Sequence, residues 1–447
     1  TCIFIGHDAG KSVNDNAANG SIFIGYEAGD GATAGAMNVG IGYQALSGTM
    51  AGSANYNTAV GHQAGKAIAG VSNSNTAVGT FALTAAAECD RNTAIGYGTL
   101  QSIDNEEDGN VAIGYRAGAS INQENADYNV IIGFEAGVGG AGGAMQYSVV
   151  IGANAMNSSD NATKTGIVAI GYNCLTGLTS GANTVAMGYE VGQSITTGNH
   201  NTLIGYQAGK NLGGGASHTT LLGMAAGLNM DASGDTNNVC IGSETGDTIT
   251  SGTNNTILGT ASDAASGAVN QIVIGYGVVG QGDNYAVIGN GSQTRLYIGD
   301  DQGGQLFAGT STINTSDRRI KKDIEDSDLG LNFINKLRPI TYRKKEVIDY
   351  DDSLKTKMSW YKNDTPPRVL DEEQKEKIRL GFIAQEVGEV LRDLGFSENN
   401  EIVQIDENTT QQGLAYERFV PTLVKAVQEL SSEIENIKKT CKCMKEE

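Results

Sequence analysis

A nine-residue phrase, N-T-A-(V/I)-G-(Y/x)-x-A-G, returns along roughly the first two thirds of the chain and leaves few folds open to it. Clear copies occupy 57–65, 92–98, 110–118, 129–137 and 201–209. The glycine that closes the V/I step falls at Gly6, Gly25, Gly42, Gly61, Gly79, Gly96, Gly114, Gly133, Gly152, Gly171, Gly188, Gly205, Gly223, Gly242, Gly259, Gly275 and Gly289, mostly 17 to 19 residues apart. A fixed period of this size marks a stacked repeat. The unit is too short for a helix pair, and its Val/Ile centre among small residues predicts a strand of four or five residues. Parallel stacking, one strand per turn of a solenoid, is expected to bury the Ala and Val/Ile positions against their copies. The asparagine four residues before the glycine (Asn38, Asn57, Asn75, Asn92, Asn110, Asn129, Asn201, Asn238, Asn255) is expected to form a rung-to-rung amide ladder. About 17 rungs at ~4.8 Å give a shaft of roughly 80 Å. The variable stretches 101–109 and 121–128 then become loops on one edge. A core of alanine plus one aliphatic residue per rung is thin for the backbone entropy lost, which points to association of several coils.

The repeat ends where the composition changes. Of the 62 glycines, 57 precede Ser316, whereas all four prolines and Trp360 follow it. Residues 1–315 hold seven Lys/Arg against 23 Asp/Glu. A chain too long for one core therefore reads as a β-solenoid over 1–290, a transition stem over 291–315 and an α+β unit over 316–447. The net charge of −20 leaves no basic face for nucleic acid. No run of about 18 apolar residues is present for insertion into a membrane. The chain opens at Thr1 without methionine, the expectation of a processed start.

The N-x-A-(V/I)-G pattern resembles the head repeats of trimeric adhesins, which implies a left-handed parallel β-roll packed as a trimer. Little in this part reads as catalytic. His7, His62, His200 and His218 lack paired metal spacing, and His7 and His62 stand where tyrosine usually follows the glycine, so surface ring positions are favoured over ligands. Neither a metal nor another cofactor is expected. Glu27, Glu135 and Glu190 share one register near the turn; a solvated face is favoured over a cation or sugar site. Tyr26, Tyr43, Tyr97, Tyr115, Tyr172, Tyr189, Tyr206 and Tyr276 also share a register. Exposed, they can stack on sugar rings; buried, they pack between coils, and packing is favoured. The six irregularly spaced cysteines make no disulfide framework, with Cys174 and Cys240 expected as buried fillers in a reducing compartment.

Beyond Ser316 the pattern is that of an ordinary small domain. Leu329, Phe333, Ile334 and Leu337 have helical spacing before Pro339, Ile340-Thr341-Tyr342 reads as a strand, and 349–377 as a loop or hairpin insertion. A strand over 380–383 runs into a helix over 385–394. Val420, Leu423, Val427, Leu430, Ile434, Ile437, Cys441 and Met444 alternate steps of three and four, a coiled-coil seam on which Cys441 is expected as filler rather than as half of a metal pair with Cys443.

Three motifs stand in order: S-D-R-R-I-K at 316–321, G-F-I-A-Q-E-V at 381–387, and the stretch from Tyr416 to Leu430 with P-T-L-V-K-A-V-Q-E-L. Together they resemble the intramolecular chaperone domain at the C-terminus of phage endosialidases, tail spikes and other viral fibres, and in the myelin regulatory factors. The resemblance implies a homotrimer, folding of the preceding β-rich part, and self-cleavage of the Thr315–Ser316 bond with Ser316 as nucleophile and Lys321 as base. Asp317 and Arg319 support that motif. Ser316 and Lys321 are five apart, on opposite sides of a strand and about 140° apart on a helix, so a turn or a partner subunit must bring them together. The implied protein is a tail fibre or virion appendage, assembled in a host cytoplasm, joined to a virion protein at its N-terminal side and contacting a host receptor such as a glycan. A bacterial or prophage surface adhesin is the alternative, and a solenoid glycan-degrading enzyme, which would need paired carboxylates in a groove, the second.

Overall fold

The structure, a computed structural model, describes residues 1–14, 19–50, 54–104, 106–123, 125–139, 144–158, 162–231, 234, 236–293, 296, 322, 324–356, 372–396, 402–405 and 412–443. The chain divides into two compact units, Thr1–Arg295 and Leu296–Glu447.

In the first unit each repeat makes one three-residue strand ending just before its marker glycine. Seventeen such strands, from Ile3–Ile5 to Ala286–Ile288, form a single parallel sheet in chain order. Like pairs with like: Ala59 lies opposite Ala77, and Ala77 opposite Ala94. Because side chains alternate along a strand, a three-residue strand turns only its middle residue inward. Phe23, Ala59, Ala77, Ile131, Leu203 and Cys240 are accordingly fully buried.

The residue before each marker glycine faces outward, contrary to the expected burial of the Val/Ile position. Ile41, Ile95, Met187 and Leu258 are 36–45% exposed. Their place in the core is taken by residues from the rest of the turn, among them Leu46, Ile68, Leu83, Ile103 and Ile121, all buried. The segments expected as edge loops therefore also stack. Ser102 N–H donates to the Ala119 carbonyl at 3.2 Å, and Asp108 N–H to Asp127 Oδ1 at 2.7 Å.

The asparagine ladder forms, and its bonding is more specific than amide to amide. Asn75 N–H donates to Asn57 Oδ1 at 3.0 Å, and Asn92 N–H to Asn75 Oδ1 at 2.9 Å. The amide nitrogen then donates to the carbonyl three residues before the next ladder position: Asn57 to Ser72 at 2.9 Å, Asn110 to Ala126 at 2.8 Å, Asn238 to Gly252 at 2.9 Å. One buried side chain thus ties its own rung to two parts of the next. This satisfies backbone groups that the short strands cannot pair.

The marker glycine is needed twice over. Gly61 has φ +141°, and a Cβ there would sit 2.6 Å from the Gly79 carbonyl oxygen of the next rung. Neither condition is tolerable for another residue. Cys174 and Cys240 are fully buried fillers, and burial pushes both thiols up to about 12. The expected transition stem falls largely outside the described residues.

The second unit holds helices α1 (Leu331–Lys336), α2 (Asp352–Lys355), α3 (Glu372–Glu376), α4 (Ala384–Asp393) and α5 (Phe419–Cys443). Ile340–Tyr342 pairs antiparallel with Arg379–Gly381, and Val403–Ile405 with Gln412–Leu414. The predicted insertion carries α2 and α3 at its two ends, with 357–371 outside the described residues. Leu329, Phe333, Val387, Leu391, Ile402 and Phe419 form the core.

Candidate functional site

The residues expected to carry the chemistry, Thr315, Ser316, Asp317, Arg319 and Lys321, lie outside the described residues. What the structure describes is the module that follows them, and it accounts for the other two motifs.

In G-F-I-A-Q-E-V the glycine is required by packing. A Cβ on Gly381 would meet the Tyr416 hydroxyl at 2.6 Å. That hydroxyl accepts a hydrogen bond from Phe382 N–H at 3.0 Å. The Phe382 ring stacks on Phe419 at 5.5 Å between centroids and lies 6.2 Å from Tyr416. Ala384 and Val387 turn inward at the start of α4, where a larger residue in place of the alanine would press on the same small core. Glu386 instead faces Arg338: Nε donates to Oε2 at 3.0 Å, and Nη2 pairs with Oε1. This two-pronged bond holds the Glu386 carboxyl below the usual carboxylate range. It also ties α4 to the end of α1, just before Pro339.

In the third motif, Glu429 reaches from α5 to the start of α1, where its Oε2 accepts from Leu331 N–H at 2.7 Å. Helix α1 begins at Gly330 with no side-chain cap of its own, so a carboxylate 98 residues away supplies one. Gly330 leaves the space, because a Cβ would lie 2.7 Å from the Glu429 carboxyl carbon. Helix α5 carries two stripes one residue apart. Phe419, Thr422 and Ala426 are buried against the module, in line with Glu429. Val420, Leu423, Val427, Leu430, Ile434 and Ile437, the predicted seam, are each 43–61% exposed. Cys441 on that seam is exposed too, and Met444 lies outside the described residues.

Residues 316–396 match the family model described as chaperone of endosialidase. The chain carries an endosialidase-type chaperone domain. The matched span opens on Ser316 and takes in Gly381–Val387. The third motif lies beyond it, and packing joins that motif to the same core through Tyr416, Phe419 and Glu429. A solenoid followed by this domain gives the chain the architecture of a tail-spike or fibre-like protein. No curated protein matches the chain.

Sequence reasoning did not find the Arg338–Glu386 pair, the remote cap or the Val403–Leu414 hairpin. The alternation in Val403-Gln404-Ile405 was the signal for the hairpin. The other two are contacts between distant segments that no local pattern encodes.

The outer surface of the solenoid carries the other candidate groups. The ring register is half-exposed in the single chain, and its rings stack on one another. Tyr26 and Tyr43 lie 5.3 Å apart and 6° from parallel, and His7 and His62 extend this run. Tyr97, Tyr115 and Phe134 follow, then Tyr172, Tyr189 and Tyr206. A ring stacked on both sides offers a ligand its edge, not its face. The carboxylate register is engaged within itself: Gln44 Nε2 donates to Glu27 at 2.7 Å, Arg116 pairs with Glu135 at 3.4 Å, and Lys210 with Glu190 at 2.7 Å. Hydrogen bonds from Gln44 and Tyr26 hold Glu27 below the usual carboxylate range; Lys210 and Gln207 do the same for Glu190. Among the described residues no three His, Cys, Asp or Glu side chains converge as metal ligands. None of the described helices is long and apolar enough to cross a membrane.

Proposed function

We propose that this chain is the subunit of a homotrimeric viral fibre or appendage, whose shaft is folded by the C-terminal chaperone domain and then released by cleavage between Thr315 and Ser316. The observation that carries the proposal is the junction itself. A chaperone-domain match begins at Ser316, downstream of a solenoid whose last described strand ends at Ile288 and whose described strands pair with neighbours about 18 residues away. No single rung of such a shaft buries enough to hold itself, so the stack gains from a template that brings several together.

Two apolar surfaces support assembly from identical copies. The α5 seam is continuous from Val420 to Ile437 and exposed on the single chain, as a coiled-coil strand is before it meets its partners. The outward face of the sheet is aliphatic before every marker glycine and spans on the order of 800 Å², from about 80 Å of rungs and about 10 Å of strand. That is close to the ~800 Å² per partner of a stable interface. Its one-rung repeat fits another copy of the same repeat best. The number three is what the chaperone resemblance implies.

In the cleavage step Ser316 Oγ attacks the Thr315 carbonyl carbon and gives its proton to neutral Lys321 Nζ. The C–N bond breaks, the Ser316 amine takes up a proton, and Thr315 is left as an ester on Ser316. Water then hydrolyses that ester to a Thr315 carboxylate and a free serine hydroxyl. Lys321 serves as base only where burial or nearby positive charge favours its neutral form. Assembly supplies that environment, so cleavage follows trimerisation. The released shaft contacts the host surface and, having lost its template, unfolds slowly.

The test is mass spectrometry and unheated denaturing gels on the full chain, Ser316→Ala and Lys321→Ala. The wild type should yield a fragment ending at Thr315 that migrates as a heat-sensitive trimer, and both variants should stay uncut. A wild-type chain that is a full-length monomer contradicts the proposal.

A further inference from the structure

The ring ladder has one internal vacancy. Between His7 and Tyr206 the position after the marker glycine holds a ring at every rung but two, Thr80 and Ala153. At Thr80 the next residue fills the break: Phe81 lies edge-on to His62 at 5.2 Å and to Tyr97 at 5.7 Å. At Ala153 the next residue is Asn154, and no ring enters.

The backbone does not close up around the missing ring. Ile151 stays in register with Ile132 below and Ile170 above. Asn154 N–H donates to the Phe134 carbonyl at 2.9 Å, and Asn173 N–H to the Ala153 carbonyl at 3.1 Å. Phe134 and Tyr172 are therefore two rungs apart, roughly 10 Å at the usual strand spacing. Elsewhere in the ladder one rung holds one ring, with stacked neighbours 5.0–5.3 Å apart. The space over Ala153 has room for one six-membered ring between two aromatic faces. These are the faces that stacking leaves uncovered, and Phe134 is 52% exposed.

The slot is polar on one side. Glu135, Asn154 and Asn173 occupy the adjoining register, with Asn154 Oδ1 3.5 Å from Asn157 Nδ2 and Glu135 Oε1 3.4 Å from Arg116. The outward-facing Ile151 borders the other side. An aromatic floor and roof, carboxylate and amide groups along one edge, and an open mouth suit a ring with apolar C–H faces and hydroxyls around its rim. We infer that the Phe134–Ala153–Tyr172 slot binds a single pyranose unit of a surface glycan. This rests on the host-contact reading above and names the chemistry of that contact.

The test is saturation-transfer NMR on the full-length chain with methyl pyranosides of glucose, galactose, mannose and N-acetylglucosamine, and with p-cresol as an aromatic control. At least one pyranoside should bind. Ala153→Phe, which continues the ladder with a ring its neighbours already accept, should weaken that binding at least tenfold without lowering the melting temperature. Tyr172→Ala should weaken it by a similar factor, while Thr260→Phe, outside the slot, should leave it unchanged. A pyranoside signal that survives in Ala153→Phe overturns the slot. Binding of p-cresol alone overturns the glycan and assigns an aromatic side chain instead. Absence of all binding by a correctly cleaved trimer overturns this inference and leaves the fibre assignment standing.

Discussion

The shaft and the chaperone domain are built on opposite terms. In the shaft nearly every contact joins a residue to its counterpart one turn away, through strand pairs, asparagine bonds and stacked rings. Each rung turns its middle strand residue and one or a few side chains from the rest of its turn inward, and none has a core of its own. In the chaperone domain six large side chains converge on one core, and the decisive polar contacts, Arg338 to Glu386 and Glu429 to Leu331, join segments far apart in sequence. No single rung of a one-dimensional stack buries enough to hold itself, so several must form before any is stable, whereas the domain closes one core in a single small unit. The difference explains why such a shaft is found beside such a domain.

The contrast is sharpest for glycine to alanine. Gly61→Ala places a Cβ against the next rung's carbonyl at a φ that alanine avoids, and should cost more than about 3 kcal/mol, read as loss of the shaft's melting transition. Gly388→Ala, inside α4 and with nothing closer than 3.9 Å, should instead stabilise the chaperone domain by about 0.5–1 kcal/mol. A shaft indifferent to Gly61→Ala would break the comparison.

Next in size is the asparagine ladder. Asn75→Ala removes donors to Asn57 Oδ1 and the Cys89 carbonyl and the acceptor of Asn92 N–H, leaving buried groups unpaired, for about 3 kcal/mol by chemical denaturation. Asn75→Ser should cost less, since Ser21 and Ser148 occupy the same register and each hydroxyl oxygen accepts a backbone N–H. Glu429→Ala should cost the chaperone domain about 1 kcal/mol and leave shaft melting untouched.

The smallest effect concerns acid. The Glu27 carboxyl is held below its unfolded value by Gln44 and Tyr26, so its contribution is present above the unfolded pKa and lost as pH falls through the folded one. The group is only partly buried, so the loss should be slight. Melting curves from neutral into acidic pH should fall marginally less steeply in Glu27→Gln than in the wild type.

Much of the shaft was legible because its information is local and repeated. The marker glycines, the asparagine register and the strand position all follow from the 17 to 19 residue period. The outward turn of Ile41 and its equivalents was not legible, because the strand proved to be three residues long instead of four or five, and the missing core came from Leu46, Ile68 and Ile103 in segments outside the consensus. The tyrosine register was read, but stacking along the shaft depends on rung spacing, which no single repeat reveals. In the chaperone domain the motifs could be recognised without their reasons. Gly381 answers to Tyr416 and Gly330 to Glu429, pairings that appear only on folding.

The central claim is that residues 316–447 fold what precedes them. It is tested most directly by producing residues 1–315 alone and comparing them, by sedimentation and circular dichroism, with the same residues released from the full chain. The account predicts a β-rich trimer, dissociated in denaturing gels only on heating, from the full chain and unfolded or aggregated protein from the truncated one. Identical trimers from both would contradict it.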